Sequence, residues 1–212
     1  YDPATDFAPV AIVGRACLLP GAHSPAQLWQ ALVEGRDLLS SVPDGYWRLA
    51  PRRVLGVGAS APPENSVTDR GGYVRGFDSV FDPNGFATAP RRMQRFDPLV
   101  QWMAHTARAA LKDAGLAVAP PRTNVIVGNL AYPTHALSAF AERTWLNEQA
   151  DPFLRDRGAD IAGIPSVASE ERFSTGRPAR LVAEAVRADG QAFCLDAACA
   201  SSLYALRIAC DQ

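Results

Sequence analysis

Apolar positions along this chain change period from stretch to stretch, and those changes divide it into strands and helices. Val10-Ala11-Ile12-Val13, Asn124-Val125-Ile126-Val127-Gly128 and Gln191-Ala192-Phe193-Cys194-Leu195 are short, nearly continuous apolar runs closed by glycine or polar residues. Runs of this length and make-up predict buried strands, the first of them opening the core. Other segments repeat at three and four. Leu28, Trp29, Leu32 and Val33 predict the apolar face of one helix. Leu99, Met103, Thr106, Ala107, Ala110, Leu111 and Ala114 predict that of a second, with Gln101, His105, Arg108 and Lys112 on its solvated side. Leu137, Phe140, Ala141 and Trp145 predict a third, Leu181, Val182, Ala185 and Val186 a fourth, and Leu203, Leu206, Arg207 and Cys210 a fifth. Strands alternating with helices predict a layered α/β fold.

Local chemistry punctuates these elements. Ser24-Pro25-Ala26-Gln27 reads as N-cap, first helical residue and capping-box partner. Asp97-Pro98 is a second cap and Ser174-Thr175-Gly176-Arg177-Pro178 opens another helix, while Gly35 and Gly115 stop the first two. Residues 50–70, rich in Pro, Gly, Ala and Ser, predict an irregular insertion, Gly71-Gly72-Tyr73-Val74 an edge strand, and 150–170 a polar, turn-rich tract.

Composition narrows the class. With 212 residues, 48% of them hydrophobic, the chain can bury a sizeable core, and a net charge of −1 offers no reason for nucleic acid or an anionic membrane as partner. No run approaches about 18 apolar residues, so no membrane span is expected. The four cysteines have neither metal-ligand nor disulfide-framework spacing, and a reducing cytoplasm is the expected setting. No G-x-G-x-x-G is present, so a dinucleotide site is not expected.

The candidate chemistry lies where the last strand gives way to the last helix, at Leu195-Asp196-Ala197-Ala198-Cys199-Ala200-Ser201-Ser202-Leu203. A cysteine at a strand-to-helix turn meets unpaired backbone N–H groups and the positive end of the helix dipole. Both favour an anion, whether the thiolate or an oxyanion forming beside it, and small neighbours leave room for substrate. The same residue in such a place also serves simple packing. Nothing in the sequence activates Cys17; His105 reads as solvated, and His135 either as a solvated or capping residue or as one facing a substrate. Arg91, Arg92 and Arg95 read either as a solvated helix start or as a contact for an acidic carrier.

Asp196-Ala197-Ala198-Cys199-Ala200-Ser201-Ser202-Leu203 resembles the active-site signature D-T-A-C-S-S-S-L of the β-ketoacyl synthases of fatty-acid and polyketide synthesis, departing from it at Ala197 and Ala200. The D-A-A-C-A-S-S variant is similar to polyunsaturated-fatty-acid and related type I polyketide synthases. Gly14 to Gly21 resembles the family's G-x-x-C-x-x-P-G loop, Phe77 to Arg91 its F-D-x-x-F-F-x-I-S-P-R-E stretch with departures at Gly85, Ala87 and Ala89, and Gly176-Arg177 part of its G-N-R helix.

The resemblance implies a thiolase-like fold, of which residues 8–212 would be the N-terminal half (layered α/β/α), ending just after the nucleophile helix, with 1–7 a leader or linker. It implies an acyltransferase performing decarboxylative Claisen condensation. Cys199 would be the acyl-thioester nucleophile and its backbone N–H one oxyanion donor. No cofactor or metal would be bound directly, the substrates arriving on the 4′-phosphopantetheine of an acyl carrier protein. Other synthase domains would be partners, and a homodimer would form through the strand Gln191–Leu195. The catalytic histidines and second oxyanion donor would lie beyond Gln212, since His23, His105 and His135 match neither family motif, so this stretch alone would not condense. Two alternatives stand beside this reading: a cysteine hydrolase or acyltransferase with an elbow nucleophile, and a non-catalytic ketosynthase-like module for dimerisation or carrier docking.

Overall fold

A computed structural model describes residues 9–47, 50–56, 65–130, 134–148 and 176–212. The leader at 1–7, the tract at 150–170 and the Ser174-Thr175 opening lie outside them. The chain forms two compact units, Ala16–Phe81, and Tyr1–Arg15 together with Asp82–Gln212.

In the unit Ala16–Phe81, helix α1 spans Pro25–Val33 and starts at its predicted Ser24 cap, although Gln27 reaches the N–H of the residue before Ser24 rather than closing a capping box on Ser24 itself. Ser24 Oγ accepts the Gln27 N–H, and Gln27 Oε1 reaches back to the His23 N–H at 2.7 Å. It also stops as predicted. Gly35 adopts φ 64°, and the N–H groups of Gly35 and Arg36 close on the carbonyls of Leu32 and Ala31, a Schellman motif. Its apolar face, however, is not buried among the described residues: Trp29 is 69% exposed, Leu32 and Val33 are exposed too, and Ala31 is the buried position. Helical period locates a face, but only another element can cover it. The insertion at 50–70 holds a short helix, α2 (Pro51–Val54), and a bridge from Leu55 to Ser66, so it is not wholly irregular. The edge strand expected at 71–74 reduces to one bridge, Ser40 to Gly71. Phe77, buried at the start of a 3₁₀ turn, stacks on Phe81 at 5.0 Å.

The second unit is built on helices α3 (Pro90–Met93) and α4 (Pro98–Asp113), strand β1 (Val125–Gly128), helices α5 (His135–Glu148) and α6 (Arg177–Val186), strand β2 (Ala192–Leu195) and helix α7 (Ser201–Asp211). β1 and β2 pair in parallel, Val125 with Ala192 through Gly128 with Leu195, with α5 and α6 in the crossover between them. Among the described elements, helix α6 is the most deeply buried. Leu181 and Val182 are each 2% exposed, and seven of its residues are buried as it packs between α4 and the sheet. Burying such a side chain contributes about 1.5–3 kcal/mol. Alternation assigns the two faces of the sheet. The Cys194 thiol meets the Ala179 backbone on α6, whereas Gly128 abuts Ser201 on α7, so α6 and α7 cover opposite faces.

Two expectations change here. Residues 9–18 form no strand; Ile12 is 85% and Val13 71% exposed. Instead Gly14 lies against α4, where a Cβ would come within 2.3 Å of the Ala110 carbonyl, and the Arg15 N–H donates to Asp113. A strand needs a neighbour for its ladder, and none of the described segments supplies one. Helix α4 runs as predicted from the Asp97 cap to Gly115, but its buried positions are Val100 and Ala104, and its polar side is only partly solvated, Lys112 being exposed and Gln101, His105 and Arg108 part-buried. Gln101 donates to the carbonyls of Met93, Gln94 and Phe96. Arg108 lies 3.9 Å from the centre of the Phe86 ring and donates to the Asp82 and Asn84 carbonyls; burial lowers its pKa, with the Asp82 carboxylate opposing. His105 is half-buried.

Candidate active site

The two parallel strands end together, and the chain continues from Leu195 over their carboxyl edge, the place where open α/β sheets carry ligands. The Asn129 N–H donates to the Leu195 carbonyl at 3.0 Å, adding one bond beyond the last paired residues. Next comes a tight reversal. Ala198 takes the left-handed conformation, φ 49°, which costs a residue with a Cβ about 1 kcal/mol. A 3₁₀ turn, Ala198–Ala200, then precedes α7, so Cys199 sits one short turn ahead of the α-helix rather than in it.

Side chains hold that turn. Asp196 Oδ1 accepts the Ala198 N–H at 2.9 Å. Ser201, buried to 7% exposure, accepts the Ala197 N–H at 2.9 Å and donates to the Ala198 carbonyl at 2.7 Å. The Ala200 N–H closes on the Ala197 carbonyl, and the Ser201 N–H on that of Ala198. From Ala197 to Ser201, the Cys199 N–H alone has no acceptor among the described residues. Cys199 is exposed; Cys17, Cys194 and Cys210 are each partly buried, and burial raises the pKa of Cys17 and Cys194.

Helix α7 reaches the sheet through its small residues. Ser201 and Ala205 are its buried positions, while Leu203 (69% exposed), Tyr204 and Leu206 face outward. A Cβ on Gly128 would lie 2.6 Å from the Ser201 carbonyl carbon and 2.8 Å from the Ser202 nitrogen, so only glycine admits this approach. Asn129, next in sequence, holds its Nδ2 shielded from solvent with no hydrogen-bond partner among the described residues.

Of the residues singled out in the sequence, Cys199 stands at the turn with an open donor. Arg91 and Arg95 are exposed on or beside α3, while Arg92 pairs with Glu184 and lies over the Phe96 ring. The His135 side chain lies outside the description. Sequence reasoning missed the Ser201 hydroxyl, although a serine two residues past a turn is a known source of local side-chain-to-backbone bonds. It also missed the second role of Asp97, whose Oδ1 caps α4 at Leu99 and whose Oδ2 accepts the Ala136 N–H of α5. Among the described residues no group of three or more His, Cys, Asp or Glu side chains is placed to hold a metal, and no helix is long and apolar enough to cross a membrane.

Comparison with known proteins addresses the whole stretch. Residues 8–212 match the family model described as the beta-ketoacyl synthase N-terminal domain. The chain is 30% identical over 204 residues to a mycocerosic acid synthase-like polyketide synthase of Mycolicibacterium smegmatis, covering 96% of this chain and 9% of that protein. It is 29% identical to the pikromycin polyketide synthase component PikAII of Streptomyces venezuelae, covering 98% and 5%. It thus spans about a tenth or less of these relatives. Among solved structures, the PfaC ketosynthase–chain length factor superposes with a TM-score of 0.75 at 26% identity, covering 95% of this chain and 22% of that one. The oxazolomycin ketosynthase domain OzmH KS7 of Streptomyces albus gives 0.62 at 29% identity, covering 94% and 31%.

Proposed function

Because the chain belongs to the β-ketoacyl synthase family, whose N-terminal domain it matches over residues 8–212, we propose that Cys199 is the acyl acceptor of a polyketide-type ketosynthase. The fold is the thiolase-like fold of ketosynthases, and family membership displaces the elbow-hydrolase alternative.

The observation that carries the proposal is the turn at the carboxyl edge of β1 and β2, with an exposed thiol and its own N–H unshared. The thiol delivers its sulfur to the carbonyl carbon of an acyl-phosphopantetheine thioester. The carbonyl π pair moves to oxygen, and the Cys199 N–H stabilises that oxyanion. Collapse breaks the old C–S bond, and the pantetheine thiol leaves with the proton that Cys199 gave up. A malonyl-type thioester then loses CO₂, and its carbanion attacks the acyl-cysteine, releasing the Cys199 thiolate. The second donor and the histidines for decarboxylation are assigned to residues other than these, and the carrier protein to an acidic partner able to meet Arg91 and Arg95.

The test uses the synthase that carries this chain. An acyl-pantetheine thioester and a labelled malonyl carrier are supplied, the acyl group is mapped by peptide mass, and labelled CO₂ is counted. The expected result is one acyl group on Cys199, none on Cys17, Cys194 or Cys210, and CO₂ release that follows acylation. Acyl transfer to any other residue overturns the reading.

Assembly belongs to the same proposal. β2 pairs only with β1 among the described residues, leaving its outer edge open. An open edge invites a second strand, and a two-fold partner supplies one without further aggregation. The synthase is expected to sediment as a dimer at micromolar concentration, paired through Gln191–Leu195. A monomer under those conditions contradicts this assignment.

A further inference from the structure

We propose that Ser201 is a positioning residue for Cys199, its hydroxyl holding the turn that leaves the Cys199 N–H free to act on the acyl oxygen. This rests on the reading of Cys199 as the acyl acceptor. The geometry supplies the reason. Ala198 is held left-handed against its own preference, and three side-chain bonds oppose its relaxation: one from Asp196 and two through the single Ser201 oxygen. That oxygen spans the turn, accepting from Ala197 on one side of the strained residue and donating to the Ala198 carbonyl on the other. It is buried, so water does not readily replace it.

Removing the hydroxyl leaves the Ala197 N–H without its acceptor and deprives the Ala198 carbonyl of one donor. The turn can then relax by rotating the peptide between Ala198 and Cys199, which is the peptide carrying the Cys199 N–H. An N–H drawn into an internal bond, or aimed elsewhere, no longer meets the oxyanion. The thiol stays exposed, because nothing in this change covers it.

That difference makes the proposal testable. Acylation passes through an oxyanion, whereas alkylation by iodoacetamide displaces iodide without one. In the synthase, Ser201→Ala should therefore slow acylation of Cys199 by an acyl-pantetheine thioester about 10- to 100-fold, the range expected for a weakened oxyanion donor. Alkylation of Cys199 by iodoacetamide should change less than about threefold, because the thiol itself is untouched. Asp196→Ala, which removes the other support of Ala198, should show the same split, and it carries the test if Ser201→Ala does not fold. Loss of both reactions together, or of neither, in a folded variant overturns the proposal. If the wild-type protein is acylated elsewhere than Cys199, the functional reading has failed, and the Ser201 proposal falls with it.

Discussion

If Cys199 is the acyl acceptor as proposed, replacing it with alanine should reduce condensation by the synthase roughly 10⁴-fold or more, because the acyl-enzyme then has no nucleophile to form on. The structure sharpens the contrast with the remaining cysteines. Cys194 lies in β2 facing α6, and burial pushes the pKa of its thiol and of the Cys17 thiol up. Cys194→Ala and Cys17→Ala should therefore retain acylation, while Cys199→Ala shows none by intact mass. Residual condensation in Cys199→Ala within tenfold of wild type would remove Cys199 from the mechanism.

Gly128→Ala is expected to have the largest effect on structure. The added methyl meets the backbone of Ser201 and Ser202 at 2.6–2.8 Å, and backbone cannot swing aside as a side-chain tip can. Overpacking of this kind costs about 3 kcal/mol or more, the upper part of its usual range. The cost should appear as the first turn of α7 lifting from β1, carrying the Cys199 turn with it. Hydrogen exchange of the α7 amides should accelerate about 10²-fold, the equivalent of that energy. Gly176→Ala is the control: none of the described residues lies within 4 Å of a Cβ there, and the loss should stay below about 1 kcal/mol. Equal protection of α7 in both variants would mean that the helix does not rest on Gly128.

The alternation of α4, β1, α5, α6, β2 and α7 is legible in the sequence because period, caps and stops are local. Ser24 and Gln27 bond within one turn of α1, and Gly35 and Gly115 complete Schellman motifs whose bonds reach carbonyls three and five residues back. The wording around Cys199 likewise lies in consecutive residues. What needed the tertiary structure is everything that depends on a second segment arriving. Val10 to Val13 has strand composition yet pairs with nothing described, and the apolar stripe of α1 remains exposed. Asp97 announces the α4 cap, but its other oxygen holds α5, 39 residues away. Leu203 and Leu206 look like the buried face of α7, whereas Ser201 and Ala205 are buried, because close approach to Gly128 admits only small residues. Hydrogen bonds to neighbours in sequence are encoded where they occur. Burial, and the choice among faces of one helix, is decided by the shape of the surface that meets it.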